Sequence, residues 1–169
     1  GVARISQLRK SIAHNDANDY NLLVSNETLS GLIDFGDLIY TTTASEAAVA
    51  ASYLMLHQAG PLDALYSFIE GYHEAWPLLP EEQTALLDLI YARLAISLTN
   101  SARMAVSHPN PEYLKISEGP IWELLDKLLC ISDERFIRTV QAACTPTRVL
   151  EGAPLPLLER RRAVLAAHG

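Results

Sequence analysis

The sequence has only two cysteines, and they limit its redox and metal chemistry. Cys130 and Cys144 are too few for a disulfide scaffold, and their spacing is not that of a metal-ligand pair. Reduced thiols in a cytoplasmic protein are therefore expected. The chain also lacks an apolar run long enough to span a membrane, which needs about 20 apolar residues. Its main apolar run covers residues 44–59, where a buried core helix is predicted instead.

Basic charge is scarce as well. The chain has 13 Lys and Arg against 20 Asp and Glu, a net charge of −7. Nucleic-acid binding requires a basic surface, so this balance argues against it. The acidic balance suits an amine-bearing small molecule better. With 169 residues, 49% of them apolar, the chain has the length and composition of one domain with a sizeable core.

One segment near the N-terminus carries most of the chemical information. Two short apolar runs, 22–24 and 31–33, flank a polar, turn-prone stretch, which predicts an antiparallel hairpin. In the predicted register Leu23 faces Leu32, and Asn21 lies opposite Asp34. Directly opposed residues are about 4.5–5.5 Å apart, and Mg²⁺ takes one or two oxygen ligands from protein. The pair is therefore a candidate magnesium site.

Asp16 lies on the loop that leads into the same strand end, where a carboxylate could orient or deprotonate an attacking hydroxyl. His14, Asp16 and Asn21 keep the spacing of the protein-kinase catalytic loop, and Asp34-Phe35-Gly36 repeats its metal-binding motif. Either motif alone often occurs by chance, and in that case it usually marks a turn or a helix cap. Both in the right order, joined by a hairpin of suitable length, favour a kinase-like site.

With Asp37 after the glycine and asparagine in place of the protein-kinase arginine, residues 12–40 resemble the aminoglycoside phosphotransferase and choline kinase superfamily, especially its hydroxylysine kinase-like branch. The resemblance implies that Asp16 is the catalytic base and that Asn21 and Asp34 bind Mg²⁺ and ATP. It also implies that His14 braces the loop. Asn18 departs from the family, since many relatives have a second histidine there.

Phosphoryl transfer of this kind also needs a glycine-rich loop and a phosphate-positioning lysine. The chain has no clustered glycines of that kind, and Lys10 falls in a predicted helix over 3–12. Residues 1–144 are therefore predicted to be a C-terminal lobe whose nucleotide-binding lobe lies upstream. The fragment alone is not expected to phosphorylate anything well.

The rest of the chain is predicted to be helical, giving an α+β, mainly α, protein-kinase-like C-terminal lobe. The predicted helices are 44–59, 62–75, 80–107, 112–117 restarting at Pro120 and running to 129, and 132–143, with a turn at 108–111. Residues 145–169 are predicted to be a proline-rich linker and a basic helix. That tail is either a solvated terminus or, by resemblance, the lead-in to a fused class III aminotransferase.

Arg93, Ser97, Asn100 and Ser101 recur at helical spacing in otherwise apolar sequence, so they share one helix face. Two interpretations stay open. The stripe lines an acceptor pocket or braces the catalytic loop, or the serines allow close helix packing while Arg93 pairs with a buried acid such as Glu46 or Asp37. Asp19 and Tyr40 are further candidates for substrate contact.

The sequence therefore predicts ATP-dependent phosphorylation of a hydroxyl on an amino alcohol, without a nucleic-acid or membrane partner. The alternative is a non-catalytic, kinase-derived module that binds a ligand or docks against a fused enzyme.

Overall fold

The structure of the protein, a computed structural model, describes residues 5–107 and 112–145, with side chains for 5–104 and 118–145. The first part of the chain forms two small antiparallel sheets. Strands β1 and β4 pair with each other, and so do β2 and β3. The strands are β1 (Lys10–Ala13), β2 (Leu22–Ser25), β3 (Thr28–Leu32) and β4 (Ile39–Thr42), and single-turn 3₁₀ helices span Asp19–Asn21 and Phe35–Asp37.

Helices make up the remainder of the described chain. They are α1 (Thr43–Met55), α2 (Pro61–Ala75), α3 (Pro80–Ser107), α4 (Glu112–Leu129) and α5 (Asp133–Ala143). Proline opens both α2 and α3, where its missing N–H costs nothing. Ser132 caps α5, since its hydroxyl accepts a hydrogen bond from the Arg135 N–H. Within the described ranges, no helix combines the length and apolar content needed to cross a bilayer.

The hydrophobic core lies among the helices. Helix α1 presents buried alanines at helical spacing (Ala44, Ala47, Ala48, Ala51), a face on which a neighbouring helix can pack closely. The large side chains around it, such as Leu65, Ile69, Ile90 and Phe136, come from α2, α3 and α5 and are at most 1% exposed. The predicted α+β, mainly helical class agrees with this architecture.

The predicted helix over 3–12 is wrong beyond Ile5, since residues 6–8 form a turn and a bend. Residues 10–13 form β1, which pairs with β4 from Lys10 opposite Thr42 to Ala13 opposite Ile39. Strand β4 was not predicted at all. The pairing partner lies some thirty residues along the chain, so local periodicity gives no sign of it. Residues 1–4 lie outside the described part.

The predicted hairpin exists, but its register is one residue off. Leu22, not Leu23, lies opposite Leu32, and the register shifts again between Leu23 and Val24. The turn is shorter than predicted, because Asn26 and Glu27 alone form it. Their φ values of 50° and 59° are the left-handed pair that a two-residue type I′ hairpin requires.

The slip changes which residue faces Asn21. The Ile33 N–H donates to the Asn21 carbonyl oxygen at 3.0 Å, so Ile33, and not Asp34, lies opposite Asn21. Asp34 is the next residue along and starts the following 3₁₀ turn. The predicted direct opposition of Asn21 and Asp34 is therefore wrong by one position.

Helix boundaries follow the predictions closely, with two exceptions. Helix α1 ends at Met55 and not at 59, because His57 adopts a left-handed φ of 61° that stops the helix. Helix α4 runs through Pro120 without the predicted break, since Ile121 and Leu124 are buried in the core and hold the segment helical. The predicted turn at 108–111 and the tail beyond 145 lie outside the described residues.

Candidate active site

The loop between β1 and β2 carries the candidate catalytic residues, and two helices hold its first turn. Asn15 adopts a left-handed φ of 66°. Its N–H donates to Glu46 Oε2 of α1 at 3.0 Å, and its carbonyl oxygen accepts from Arg93 Nη1 of α3 at 3.3 Å. A strained conformation of this kind persists where surrounding contacts fix it. The loop is therefore anchored to the helical part of the molecule through the two peptide groups that flank the Asn15 α-carbon.

The Asp16 carboxylate accepts hydrogen bonds on both oxygens. Oδ1 accepts from Arg93 Nη2 at 2.7 Å and from the Tyr53 hydroxyl at 3.4 Å. Oδ2 accepts from the side-chain amides of Asn18 at 3.1 Å and Asn21 at 3.0 Å. Three predicted site residues, Asn18, Asn21 and Arg93, thus converge on the predicted base.

Asn21 is 8% exposed, and its side-chain nitrogen points at Asp16. Besides the carboxylate, that nitrogen donates to the Asp16 carbonyl oxygen at 2.8 Å. With the nitrogen committed, the amide oxygen is the end able to bind a cation. Asn18 also caps the first 3₁₀ turn, since its Oδ1 accepts from the Tyr20 N–H at 2.9 Å.

His14 connects the two motifs. It is buried, and its Nε2–H donates to the Ile33 carbonyl oxygen at 2.9 Å. Its ring meets the edge of the Phe35 ring at a centroid distance of 4.9 Å. Asp34 lies between these two contacts, with φ 60° and ψ 66°, and its Oδ1 accepts from the Gly36 N–H at 3.4 Å. His14 therefore contacts both neighbours of Asp34, the backbone of Ile33 and the ring of Phe35.

The side-chain oxygens of Asn21 and Asp34 are of the chemical kind that binds a magnesium ion. Asn21 offers an amide oxygen and Asp34 a carboxylate, which are the hard oxygen ligands that Mg²⁺ prefers. Within residues 5–107 and 112–145 no group of three or more His, Cys, Asp and Glu side chains could hold a metal. An ion here would take its remaining ligands from phosphate and water, which is the usual arrangement for Mg²⁺.

Arg93 pairs with a different acid from those predicted. Its guanidinium bonds Asp16 at 2.7 Å, so the predicted pairing with Glu46 or Asp37 is wrong. The contact instead supports the other interpretation, in which Arg93 braces the loop that carries Asp16. Of the other polar residues in its stripe, Ser101 donates to Glu118 of α4 at 2.7 Å, which is a helix-packing contact.

The remaining candidates do not join the cluster around Asp16. Asp19, Asp37 and Tyr40 are exposed, and among the described residues the donors to the Asp16 carboxylate are Arg93, Tyr53, Asn18 and Asn21.

Sequence reasoning missed Tyr53 altogether and missed Glu46 as the acceptor for the loop. Both lie on α1 at positions i and i+7, which share a helix face. That spacing could have indicated that both side chains reach the same neighbouring segment. In the structure Glu46 contacts Asn15, and Tyr53 contacts Asp16. The Tyr53 ring also lies under the Arg93 guanidinium, 5.3 Å from its centroid, and its hydroxyl accepts from Arg93 Nη2 at 2.7 Å.

Helix α2 contributes an un-ionised phenol near Glu46. Burial, and next the Glu46 and Glu82 carboxylates, raise the pKa of Tyr72 to about 12. The phenol therefore stays protonated at neutral pH and adds no negative charge beside the loop anchor.

Comparisons with known proteins identify a family and several similar sequences. Residues 2–82, which include both motifs, match the phosphotransferase enzyme family. The hydroxylysine kinase of Mus musculus is 32% identical over 137 residues, covering 75% of this chain and 36% of that protein. The Bos taurus hydroxylysine kinase gives the same figures. The Xenopus laevis hydroxylysine kinase is 33% identical over 139 residues, covering 75% of this chain and 37% of that protein.

The chain thus spans just over a third of the length of these curated relatives. No solved structure matches it. The family match covers the residues of both motifs. The chain belongs to the aminoglycoside phosphotransferase and choline kinase superfamily, on its hydroxylysine kinase-like branch.

Proposed function

We propose that the protein containing this chain transfers the γ-phosphoryl group of ATP to a hydroxyl of an amine-bearing small molecule. The observation that supports this most is the Asp16 carboxylate, held by Arg93, Asn18 and Asn21 at the head of the hairpin. A base fixed in this way keeps its position as the acceptor hydroxyl binds and gives up its proton. The curated relatives are named hydroxylysine kinases, so a hydroxylated amino acid is the first acceptor to test.

In the proposed reaction Asp16 orients the acceptor hydroxyl and takes its proton as the oxygen attacks the terminal phosphorus. The new oxygen–phosphorus bond forms as the bond to the β-phosphate oxygen breaks, and ADP leaves with that electron pair. Asn21 and Asp34 would hold Mg²⁺, which when bound neutralises charge on the phosphate oxygens. His14 keeps Asp34 in place through its contacts with Ile33 and Phe35.

Residues 1–144 would form the C-terminal lobe of this enzyme. The glycine-rich loop and the phosphate-positioning lysine required for such chemistry are not present in this sequence. They would be supplied by a nucleotide-binding lobe elsewhere in the protein, which the greater length of the relatives allows. The chain by itself is then expected to show little turnover.

Replacing Asp16 tests the proposed reaction. In the full-length protein, Asp16→Ala should lower kcat about 10²–10⁴-fold, the range for loss of a general base. Phosphate transfer to a panel of amino alcohols, hydroxylysine included, is the measurement. Glu123→Ala is a control, because it removes an exposed carboxylate on α4, outside the Asp16 cluster. Turnover within a few-fold of wild type would remove Asp16 from the mechanism.

Replacing Asp34 tests the proposed metal site separately. Asp34→Asn keeps the size of the side chain but removes its charge, so the Mg²⁺ concentration needed for half-maximal activity should rise about tenfold or more. A magnesium dependence equal to that of wild type would show that Asp34 does not hold the ion.

The alternative is a kinase-derived module without turnover, which the absence of a phosphate-positioning lysine from the upstream lobe would favour. The two functions separate by nucleotide binding. ATP with Mg²⁺ at 100 times its Kd should stabilise the full-length enzyme by about 2.7 kcal/mol. Thermal denaturation that is unchanged by ATP and Mg²⁺, together with no transfer to any acceptor, would support the module.

A further inference from the structure

The Asp16 carboxylate has no obvious room for a substrate. An ionised carboxylate has about four lone-pair positions on its two oxygens. Four donors already approach them: Arg93 and Tyr53 at Oδ1, Asn18 and Asn21 at Oδ2. A hydroxyl that gives its proton to Asp16 must therefore replace one of these four.

The four contacts are not equal. The two asparagines belong to the same loop as Asp16, and Asn21 is also tied to the Asp16 backbone at 2.8 Å. Arg93 makes a charge-assisted bond of 2.7 Å, the short and strong kind. Tyr53 stands 3.4 Å away, near the limit for a hydrogen bond. The Tyr53 contact is the weakest, so it is the one that yields.

Three of the five N–H donors of Arg93 are engaged, all of them with the Asp16 loop and Tyr53. Nη1 donates to the Asn15 carbonyl oxygen, and Nη2 donates to Asp16 and to the Tyr53 hydroxyl. Its side chain is only 15% exposed, and Nε is buried without a partner among the described residues. Little of the guanidinium is therefore open to a substrate carboxylate. This argues against the earlier alternative that Arg93 lines the acceptor pocket.

We propose that Arg93 is a positioning residue for Asp16, and that the acceptor hydroxyl binds at the Oδ1 position now occupied by the Tyr53 hydroxyl. This inference rests on the proposed phosphotransferase reaction. Arg93 reaches the loop from the rigid helix α3 and fixes both the strained Asn15 peptide and the carboxylate of the next residue. Tyr53 keeps its hydrogen bond with Arg93 when the substrate displaces it from Asp16.

Steady-state kinetics of the full-length protein test the proposal, with ATP, Mg²⁺ and the best acceptor from the amino alcohol panel. Arg93→Met should lower kcat about 10²-fold, the cost of a misplaced catalytic group, with little change in the acceptor KM. Arg93→Lys should recover part of that loss because it restores one charged donor. A KM rise at unchanged kcat would instead mean uniform substrate binding by Arg93 and would overturn the proposal.

Tyr53→Phe provides a second, opposite readout. It keeps the ring under Arg93 but removes the hydroxyl that competes for Oδ1. The acceptor KM should fall about twofold to fivefold, the equivalent of one weak neutral hydrogen bond. A loss of kcat as large as that of Arg93→Met would overturn the assignment of the Oδ1 position to the acceptor.

Arg9→Lys is the matched control for structural loss. Arg9 also makes a two-pronged ion pair, with Glu82 at 2.7 and 2.9 Å, but it lies outside the catalytic loop. It should lower the denaturation temperature while kcat of the folded protein stays at the wild-type value. An equal loss of kcat in the Arg9 and Arg93 variants would reduce Arg93 to a structural role. A wild-type protein inactive with every acceptor would count against the proposed function itself.

Discussion

The two phenylalanines Phe35 and Phe136 show how differently the two regions of this protein are held together. Phe136, in α5, is 1% exposed and packs in the helical core, whereas Phe35, the middle residue of the second motif, is 54% exposed. The sheet region from β1 to β4 buries few apolar side chains and keeps many on its surface. Polar contacts from the helices, such as Arg93 with Asp16 and Glu46 with Asn15, hold the site instead. Apolar packing among the helices thus stabilises the fold, whereas polar contacts between the helices and the loop set the geometry of the site.

The largest expected difference in stability is between the alanine variants of Phe136 and Phe35. Phe136→Ala should lower the free energy of unfolding by about 3–5 kcal/mol, since it leaves a cavity in the core. Phe35→Ala should cost about 1 kcal/mol or less, because most of its ring already faces solvent. Urea denaturation followed by tryptophan fluorescence measures both. Equal losses would contradict the contrast between the regions.

The next effect distinguishes a buried ion pair from an exposed one. Glu82 is fully buried and bonds Arg9, whose side chain is 32% exposed. Arg9→Met leaves that carboxylate unpaired and should cost about 2–3 kcal/mol, somewhat less than a fully buried pair. Arg138→Met breaks an exposed pair with Glu134 within α5 and should change stability by about 0.5 kcal/mol or less.

Thermal denaturation of the two arginine variants in low and high salt checks this. Salt should affect the Arg138 pair more than the Arg9 pair, because exposed charges are screened. A large destabilisation by Arg138→Met would contradict the prediction.

A smaller effect, in the opposite direction, is expected in the sheet region. Glu27 has a left-handed φ of 59° in the hairpin turn, a conformation that suits glycine and strains other residues. Glu27→Gly completes the Asn-Gly pair favoured in type I′ turns and should stabilise the hairpin by about 1 kcal/mol. Glu123→Gly, in the exposed face of α4, is the control and should destabilise by about 1 kcal/mol.

The smallest effect is a pH dependence. Burial lowers the pKa of His73, whose Nδ1 accepts a hydrogen bond from the Leu78 N–H at 3.0 Å. The unfolded state then binds the proton more readily than the folded state. Stability should therefore be fully present above the unfolded pKa of about 6.5 and decrease as the pH falls below it. His73→Gln should flatten that part of the stability curve, as measured by urea denaturation between pH 5 and 7.5.

Much of the helical part was predictable from local signals. Proline and acidic residues at the start of α3 set its beginning, and its predicted span of 80–107 is confirmed. The break expected at Pro120 did not occur, because burial of Ile121 and Leu124 outweighs the local cost of proline inside a helix. Helix ends were predicted less well than helix interiors, as at His57, where the backbone conformation of a single residue stops α1.

The residues of the candidate site could be named from the sequence, but the contacts between them could not. The two motifs named Asp16, Asn21 and Asp34 in the right order, and their roles stay predictions. The hairpin register shifted by one residue because the turn uses two left-handed residues, a choice of conformation that alternating apolar residues do not specify. The predicted partners of Arg93, Glu46 or Asp37, were wrong because spacing along α3 does not show which acid the fold brings to the arginine.

By itself, the sequence determined the local features of this protein: two kinase-like motifs in order, a hairpin between them and a series of helices bounded by proline and capping residues. The tertiary structure decided which distant groups meet. It paired β1 with β4, brought Tyr53 and Arg93 from two helices to Asp16, and fixed Asn15 between them. The reason is physical, since periodicity and capping depend on neighbours within a few residues, whereas these contacts join residues 37 and 77 positions apart.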